Sequence, residues 1–296
     1  MKCGFVSIVG RPNVGKSTLL NSILGMKLAI TSNVSGTTRN VIDGIYNDKD
    51  SQIVFVDTPG IHKPNNKLGN IMNKKAYNNI DGVDAILFLV DISKGFGKGD
   101  KFILDKIKNS NVPIFLLLNK IDLIKDKKTL LKDISEITKL YKFSEVIPVS
   151  AKKHDNVDLI INCLKKVLPE SDKMYSDEEL TNVSTRFILA EFVREKVLEL
   201  TRDEIPHTVT CYVENYEEDE KIVHVQVVIV VDRDNIKKII IGKGGSMLKE
   251  IGTRARLDME EFLGKKVFLE TYVKTLKDWR DKEKYLLELG LSEEDE

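Results

Sequence analysis

The chain has 296 residues, enough for two domains of about 150 residues each. Its composition, 42% hydrophobic and 31% charged, excludes a chain that stays disordered, while equal numbers of basic and acidic residues (46 each) give no overall charge signal for a nucleic-acid partner. We expect a cytoplasmic protein for three reasons. The three cysteines are scattered, the apolar runs are far shorter than the roughly 20 residues of a membrane span, and the sequence shows no signal peptide.

Up to about residue 170, apolar strand segments alternate with helical segments such as Lys16–Leu24 and Thr129–Tyr141. The strand segments are rich in Val, Ile, Leu and Phe without polar alternation, which is typical of strands covered on both faces. This pattern predicts an α/β fold with a mainly parallel sheet and a ligand beyond the carboxyl ends of the strands. The predicted strands are Phe5–Val9, Ile53–Asp57, Ala85–Asp91, Ile114–Asn119 and Glu145–Val149.

A phosphate-binding loop is predicted between the first strand and the first helix. The sequence matches the pattern G-x-x-x-x-G-K-[ST]. The glycines of this pattern allow the backbone to curl so that N–H groups point at phosphate oxygens, and the N-terminus of the following helix adds partial positive charge. Lys16 would reach the β- and γ-phosphates, and the Ser17 hydroxyl would bind Mg²⁺. The predicted loop residues are Gly10, Arg11, Pro12, Asn13, Val14, Gly15, Lys16, Ser17 and Thr18.

A second phosphate-site motif, Asp57-Thr58-Pro59-Gly60, follows an apolar strand. The carboxylate of Asp57 is the expected partner of Mg²⁺ through water, and Gly60 would offer its N–H to the γ-phosphate. A common Pro-Gly turn is the simpler interpretation, and the phosphate loop upstream disfavours it. Ile61 follows Gly60 and is the last of the nucleotide-binding residues predicted in this segment.

A base-binding site is predicted from Asn119-Lys120-Ile121-Asp122 and Ser150-Ala151-Lys152, each of which follows a predicted strand. The carboxylate of Asp122 would accept from guanine N1–H and the 2-amino group, which adenine lacks. Asn119 would connect the base to the phosphate loop, the Lys120 stem would stack on the ring, and a backbone N–H near Ala151 would meet guanine O6.

These motifs, together with Gly36-Thr37-Thr38-Arg39, resemble the translation-factor class of small GTPases. The resemblance implies that Thr38 joins Mg²⁺ in the GTP state, with Thr37 close by, and that residues 27–41 and 61–70 are the nucleotide-sensing switches. Ile61 stands where many GTPases have a water-positioning Gln, which implies slow intrinsic hydrolysis. Asn13 resembles the asparagine that coordinates K⁺ in related GTPases. We therefore expect Asn13, Lys16, Thr38 and Gly60 to act in catalysis.

Beyond a polar linker at 170–183, the pattern changes to α-β-β-α-α-β. Gly242-Lys243-Gly244-Gly245 is a G-x-x-G loop between two helices and resembles the RNA-clamping loop of a type II KH domain. Residues 171–296 carry a net charge of −9 and residues 1–170 carry +9, yet basic residues concentrate around this loop. The predicted RNA-binding residues are Lys237, Lys238, Ile241, Gly242, Lys243, Gly244, Gly245, Lys249, Arg254 and Arg256.

A P-loop GTPase domain followed by a type II KH domain resembles the Era-like GTPases. The expected division is a GTPase domain at 1–169, the linker at 170–183, a KH domain at 184–280 and a tail at 281–296. The resemblance implies a monomeric factor in 30S subunit assembly that binds the 3′ end of 16S ribosomal RNA and associates peripherally with the inner membrane.

Two other interpretations stay open at this point. One is a signalling GTPase whose second domain binds a protein, and the other is an RNA-binding module whose nucleotide only stabilises the fold. Gly95, Gly97 and Gly99 are interpreted as a flexible loop without a phosphate site.

Overall fold

The structure is a computed structural model that describes residues 1–34, 36–61, 64, 66–79 and 82–292. Parts of the predicted switch at 61–70 and of the predicted tail therefore lie outside the described residues. No helix in the described ranges combines the length and apolarity needed to cross a bilayer. The chain forms two compact units, the first comprising Met1–Thr31, Ser35–Pro64 and Met72–Asn182 and the second comprising Ser32–Val34, Asn65–Ile71 and Val183–Glu296.

The first unit contains a six-stranded sheet in the order β2-β3-β1-β4-β5-β6. All neighbouring strands are parallel except β2, which pairs antiparallel with β3. The mainly parallel sheet is thus confirmed, and the sequence missed only β2, whose residues include Asp, Gly and Asn. The strands are β1 (Lys2–Gly10), β2 (Ile42–Asn47), β3 (Ser51–Asp57), β4 (Ala85–Asp91), β5 (Ile114–Asn119) and β6 (Glu145–Val149).

Among the described residues, the first unit contains the helices α1 (Lys16–Leu24), α3 (Lys98–Ile107), α4 (Lys127–Ile137) and α5 (Val157–Val167), and the division between the units falls within α2 (Lys67–Asn78). The strands β4 and β5 are buried along their whole length, which is why they carry uninterrupted apolar residues. The interpretation of the Gly95–Gly99 stretch as a flexible loop is wrong from Lys98 onward. Gly97 caps α3, and its N–H donates to Asp100 Oδ2 at 2.9 Å.

Most of the predicted linker is fixed to the first unit. The side-chain carbonyl of Gln52 accepts from the backbone N–H of Met174 at 2.7 Å. Further along, Ile45 N–H donates to Leu180 O at 2.9 Å. Residues 170–182 therefore lie along the sheet as part of the first unit.

The second unit has a three-stranded sheet, β7-β8-β9, in which β7 and β8 are antiparallel and β8 and β9 are parallel. The element order α-β-β-α-α-β is confirmed. The helix α6 (Thr185–Leu200) is buried from Ile188 to Leu198 and includes the buried ion pair of Arg194 with Glu191. The elements are α6 (Thr185–Leu200), β7 (Val209–Glu218), β8 (Ile222–Val231), α7 (Asp234–Ile241), α8 (Ser246–Leu263) and β9 (Lys266–Thr275), followed by α9 (Glu283–Glu288).

Candidate functional site

The predicted phosphate loop joins β1 to α1 in the first unit. Gly15 has φ +101°, and a Cβ at this position would lie 2.4 Å from Asn119 Nδ2, so only glycine fits. Asn13 also has a positive φ of 64°. The loop consequently turns sharply before α1 begins at Lys16, as a loop that directs its N–H groups inward requires.

Lys16 is buried at the base of this loop. Its ammonium donates to Arg11 O at 3.3 Å and to Gly10 O at 3.5 Å. Burial lowers the pKa of Lys16, and the charge of Asp57 opposes that shift. Both hydrogen bonds are long, so a negatively charged phosphate oxygen would be a stronger acceptor for this ammonium.

Three oxygen-bearing side chains converge beside Lys16. Ser17 Oγ donates to Asp57 Oδ2 at 2.6 Å and lies 2.8 Å from Thr38 Oγ1. Asp57 is fully buried, and its Oδ1 atom has no hydrogen-bond partner within the described residues. Burial raises the pKa of Asp57, while the Lys16 charge and the Ser17 and Thr38 hydroxyls lower it. A buried carboxylate oxygen without a partner beside two hydroxyls fits Mg²⁺, which prefers oxygen ligands.

The residues that follow Asp57 pack against the phosphate loop. A Cβ on Gly60 would lie 2.7 Å from Pro12 N, so glycine is required for this close approach. Thr58 Oγ1 donates to Ile8 O at 2.9 Å, and Pro59 is buried. Ile61 belongs to a buried apolar cluster, so its side chain is not a polar group that could orient water.

The predicted base-binding residues lie at the ends of β5 and β6. Asn119 Nδ2 donates to Val14 O at 2.8 Å, and Asn119 Oδ1 accepts from Ala151 N at 3.0 Å. The amide thus connects the phosphate loop to the Ser150–Lys152 segment. Ser150 Oγ donates to Asp122 Oδ1 at 2.6 Å and orients that carboxylate. Of the remaining predicted residues, Thr18 and Ile121 are half-buried and Lys152 is exposed.

Two buried carboxylates at this site were missed by the sequence analysis. Asp91 Oδ2 accepts from Lys120 Nζ at 2.7 Å, and Asp100 Oδ1 accepts from Arg11 Nε at 2.8 Å. Asp91 ends a fully apolar strand, the same signal that identified Asp57. Asp100 carried no comparable signal because its partner lies 89 residues away in the sequence.

In the second unit, the G-x-x-G loop connects α7 to α8. Gly242, Gly244 and Gly245 have φ values of 73°, 59° and 80°. A Cβ on Gly242 would lie 2.8 Å from Met247 N, whereas one on Gly244 or Gly245 would meet nothing within 4 Å. The middle of the loop is therefore open to solvent, and Lys243 is exposed there.

Next to this loop, α8 and β9 form a groove of about 380 Å³. Of the predicted RNA-binding residues, Gly245, Lys249 and Arg256 line it, while Lys237, Lys238 and Ile241 lie on α7. Arg254 and Arg256 form ion pairs with Glu250 and Glu260 on α8. The other lining residues were not predicted from the sequence, and two of them come from the distant strand β9: Leu248, Gly252, Thr253, Leu269 and Thr271.

Comparison with protein families gives two matches. Residues 5–120 match the family described as 50S ribosome-binding GTPase. Residues 204–280 match the KH domain family. The P-loop GTPase domain with a C-terminal KH domain is thereby confirmed.

Comparison with individual proteins extends the similarity over the whole chain. GTPase Era of Staphylococcus epidermidis is 47% identical over 294 residues, covering 99% of this chain and 98% of that protein. A crystal structure of an Era variant of Aquifex aeolicus bound to GDP and AlF₄⁻ is 40% identical, with a TM-score of 0.95 over 99% of this chain and 100% of that chain. A second Era structure, in complex with MgGDPNP and nucleotides 1506–1542 of 16S ribosomal RNA, gives the same identity and TM-score and covers 99% of both chains.

Proposed function

This chain belongs to the GTPase Era family and is a GTPase, and we propose that it links the hydrolysis of GTP to binding of the 3′ end of 16S ribosomal RNA during assembly of the 30S subunit. The observation that carries the proposal is the presence, in one chain, of a phosphate loop with a buried oxygen cluster and of a G-x-x-G loop beside a groove. The related Era structure with 16S ribosomal RNA supports it.

We propose that guanine is selected by Asp122. Its carboxylate would accept from guanine N1–H and the 2-amino group, and Ser150 holds the carboxylate at 2.6 Å. Adenine offers no donors there, and a carboxylate left without partners would strongly disfavour it. Asn119 and a backbone N–H of the Ser150–Lys152 segment would meet the other edge of the base, with the Lys120 stem on the ring.

At the phosphate end, Lys16 would bind the β- and γ-phosphates, and Gly60 N–H would contact the γ-phosphate. Ser17 and Thr38 would hold Mg²⁺ directly, and Asp57 would hold it through water. When bound, the ion neutralises charge on the phosphate oxygens. Exchange of GTP for GDP would remove the γ-phosphate contact of Gly60 and release Thr38 from Mg²⁺, so that the two switches would differ between the GTP and GDP states.

We propose that intrinsic hydrolysis is slow and is stimulated by K⁺. The buried apolar side chain of Ile61 supports the slow rate, because it cannot position water. Asn13, at the turn of the phosphate loop, would provide the oxygen for the ion. A cation there supplies positive charge to the transferring phosphoryl group.

Replacement of Asn13 by glycine tests this role, because glycine tolerates the φ of 64° at this position. We expect wild-type hydrolysis to be several-fold faster in KCl than in NaCl, and the variant to lose that difference while its affinity for GDP stays within about threefold. Initial rates at matched ionic strength provide the measurement. Equal wild-type rates in the two salts would refute the proposal.

RNA binding is proposed for the second unit. Single-stranded RNA would run past Gly242–Gly245, where the open centre of the loop allows the backbone to approach, and its bases would enter the groove at Leu248 and Leu269. The basic residues would contact phosphates: Lys237, Lys238, Lys243, Lys249, Arg254 and Arg256.

We propose a GTPase domain at 1–169, a linker at 170–183 whose residues 170–182 pack along the sheet of the first unit, a KH domain at 184–280 and a tail at 281–296. We further propose that the protein is a cytoplasmic monomer that associates peripherally with the cytoplasmic face of the inner membrane. Family membership is the support for these statements.

The test of the RNA target is crosslinking of the GTP-loaded protein in bacterial cells, followed by sequencing of the bound fragments. We expect enrichment at the 3′ end of 16S ribosomal RNA, with loss of that enrichment in Gly244→Asp. Diffuse crosslinks that persist in the variant would contradict the proposal and favour a signalling GTPase whose second domain binds a protein.

A further inference from the structure

The carboxylate of Asp91 lies between the base-binding motif and the phosphate loop. Its Oδ2 atom accepts from Lys120 Nζ at 2.7 Å, and its Oδ1 atom accepts from Ser93 Oγ at 2.5 Å. Lys120 Nζ also donates to Asn13 O at 2.8 Å. One ammonium group therefore bonds both to the end of β4 and to the backbone of the phosphate loop.

This carboxylate is charged although it is nearly inaccessible to water. Only 3% of the Asp91 side chain is exposed. Burial acts to raise its pKa, but the hydrogen bond from Lys120, followed by that from Ser93, outweighs burial and holds the pKa below the usual range. The group is thus ionised at neutral pH and forms a charge-assisted bond to Lys120.

We propose that Asp91 is a positioning residue for guanine nucleotides, which acts by fixing the ammonium of Lys120. Because the Lys120 ammonium is bonded to both Asp91 and Asn13 O, the aliphatic stem of Lys120 is held in one position beside the phosphate loop, where it would cover the base. The inference rests on the guanine site proposed above, because it assigns Asp91 a role through Lys120.

Loss of the charge at position 91 would release Lys120. The Lys120 ammonium would keep one neutral acceptor, Asn13 O. Because the Lys120 side chain is already 29% exposed, hydration of its ammonium would then be more favourable than that single hydrogen bond. The entropic cost of ordering the Lys120 side chain again would then reduce the affinity for nucleotide. Because Lys120 would contact the base and not the γ-phosphate, the affinities for GDP and GTP should fall by the same factor.

The test is a double-mutant cycle on the full chain with Asp91→Asn, Lys120→Ala and both together. We expect Asp91→Asn to raise the Kd for fluorescent GDP and GTP about tenfold, which corresponds to about 1.4 kcal/mol. In the Lys120→Ala background the same change should alter Kd by less than twofold, because the group through which Asp91 acts is gone. Asp105→Asn, which removes an exposed partner of Lys108 on α3, should have no effect.

An unchanged Kd in Asp91→Asn, or equal effects with and without Lys120, would overturn the inference. If Lys120→Ala itself leaves Kd unchanged, the proposed guanine site fails, and the inference fails with it. Thermal unfolding of the nucleotide-free variants separates lost binding from lost folding. Should Asp91→Asn not fold, Ser93→Ala removes the bond to Oδ1 and keeps the ion pair, and it should raise Kd for both nucleotides about twofold to threefold. No rise would overturn the inference.

Discussion

Replacement of Lys16 by alanine is expected to lower the rate of GTP hydrolysis by about 10²–10³-fold, the range seen when one preorganised donor to a developing negative charge is removed. The ammonium of Lys16 is buried, and it donates two long hydrogen bonds to loop carbonyls. No other lysine or arginine occupies the predicted phosphate loop after Arg11. Single-turnover hydrolysis at saturating GTP measures the loss at the chemical step.

Lys132→Ala is the matched control for this experiment, since Lys132 is exposed on α4 and should leave the rate unchanged. RNA binding by the Lys16→Ala protein should also be preserved. If the variant then supports ribosome assembly as well as the wild type does, the nucleotide would have only a stabilising role, and the interpretation as a pure RNA-binding module would be favoured. Undiminished hydrolysis would contradict the assignment of Lys16.

Replacement of Gly244 by aspartate is expected to weaken RNA binding by about thirtyfold. A carboxylate placed about 4 Å from two phosphates costs roughly 1 kcal/mol for each in a watery environment, so roughly 2 kcal/mol in total. The side chain also occupies the space through which the RNA backbone would approach. Fluorescence anisotropy with an RNA of the 3′ end of 16S ribosomal RNA, at fixed salt, measures the change.

This variant should fold normally. A Cβ on Gly244 meets nothing within 4 Å, and aspartate tolerates the φ of 59° better than most residues do. Gly242→Asp would be a poorer probe because its Cβ would lie 2.8 Å from Met247 N. Gly264→Asp is the matched control: Gly264 has φ 64° and open space around it, but it caps the other end of α8. Equal RNA affinity of the Gly244→Asp and Gly264→Asp proteins would contradict the G-x-x-G assignment.

The central strands were the most predictable part of the fold. The bounds of β4 and β5 were correct because strands buried on both faces carry uninterrupted apolar residues. Strand β2 was missed because its residues, Ile42-Asp43-Gly44-Ile45-Tyr46-Asn47, show no such run, and it forms by pairing with β3. Although β3 starts only four residues after β2 ends, the apolar pattern of the segment does not encode this pairing.

The same limit applies to the site. Residues in contiguous motifs, such as Lys16 and Asp122, were predicted because the residue types and spacing within each motif already indicate the group that it binds. Asp100 was missed because its partner Arg11 lies 89 residues away in the sequence. Asp91 ends an apolar strand as Asp57 does, but it was missed because it stands in no recognised motif. The groove residue Leu269 was missed for that reason too.

The polar segment at 170–182 has a consequence for solubility. A strand at the border of a sheet presents unpaired backbone groups onto which a second molecule can add a strand and start aggregation. Here β2 is such a border, and this segment occupies part of it: Thr181 bridges to Gly44, and Leu180 O accepts from Ile45 N–H. A stretch whose composition suggests only a spacer thereby shields the GTPase sheet from self-association.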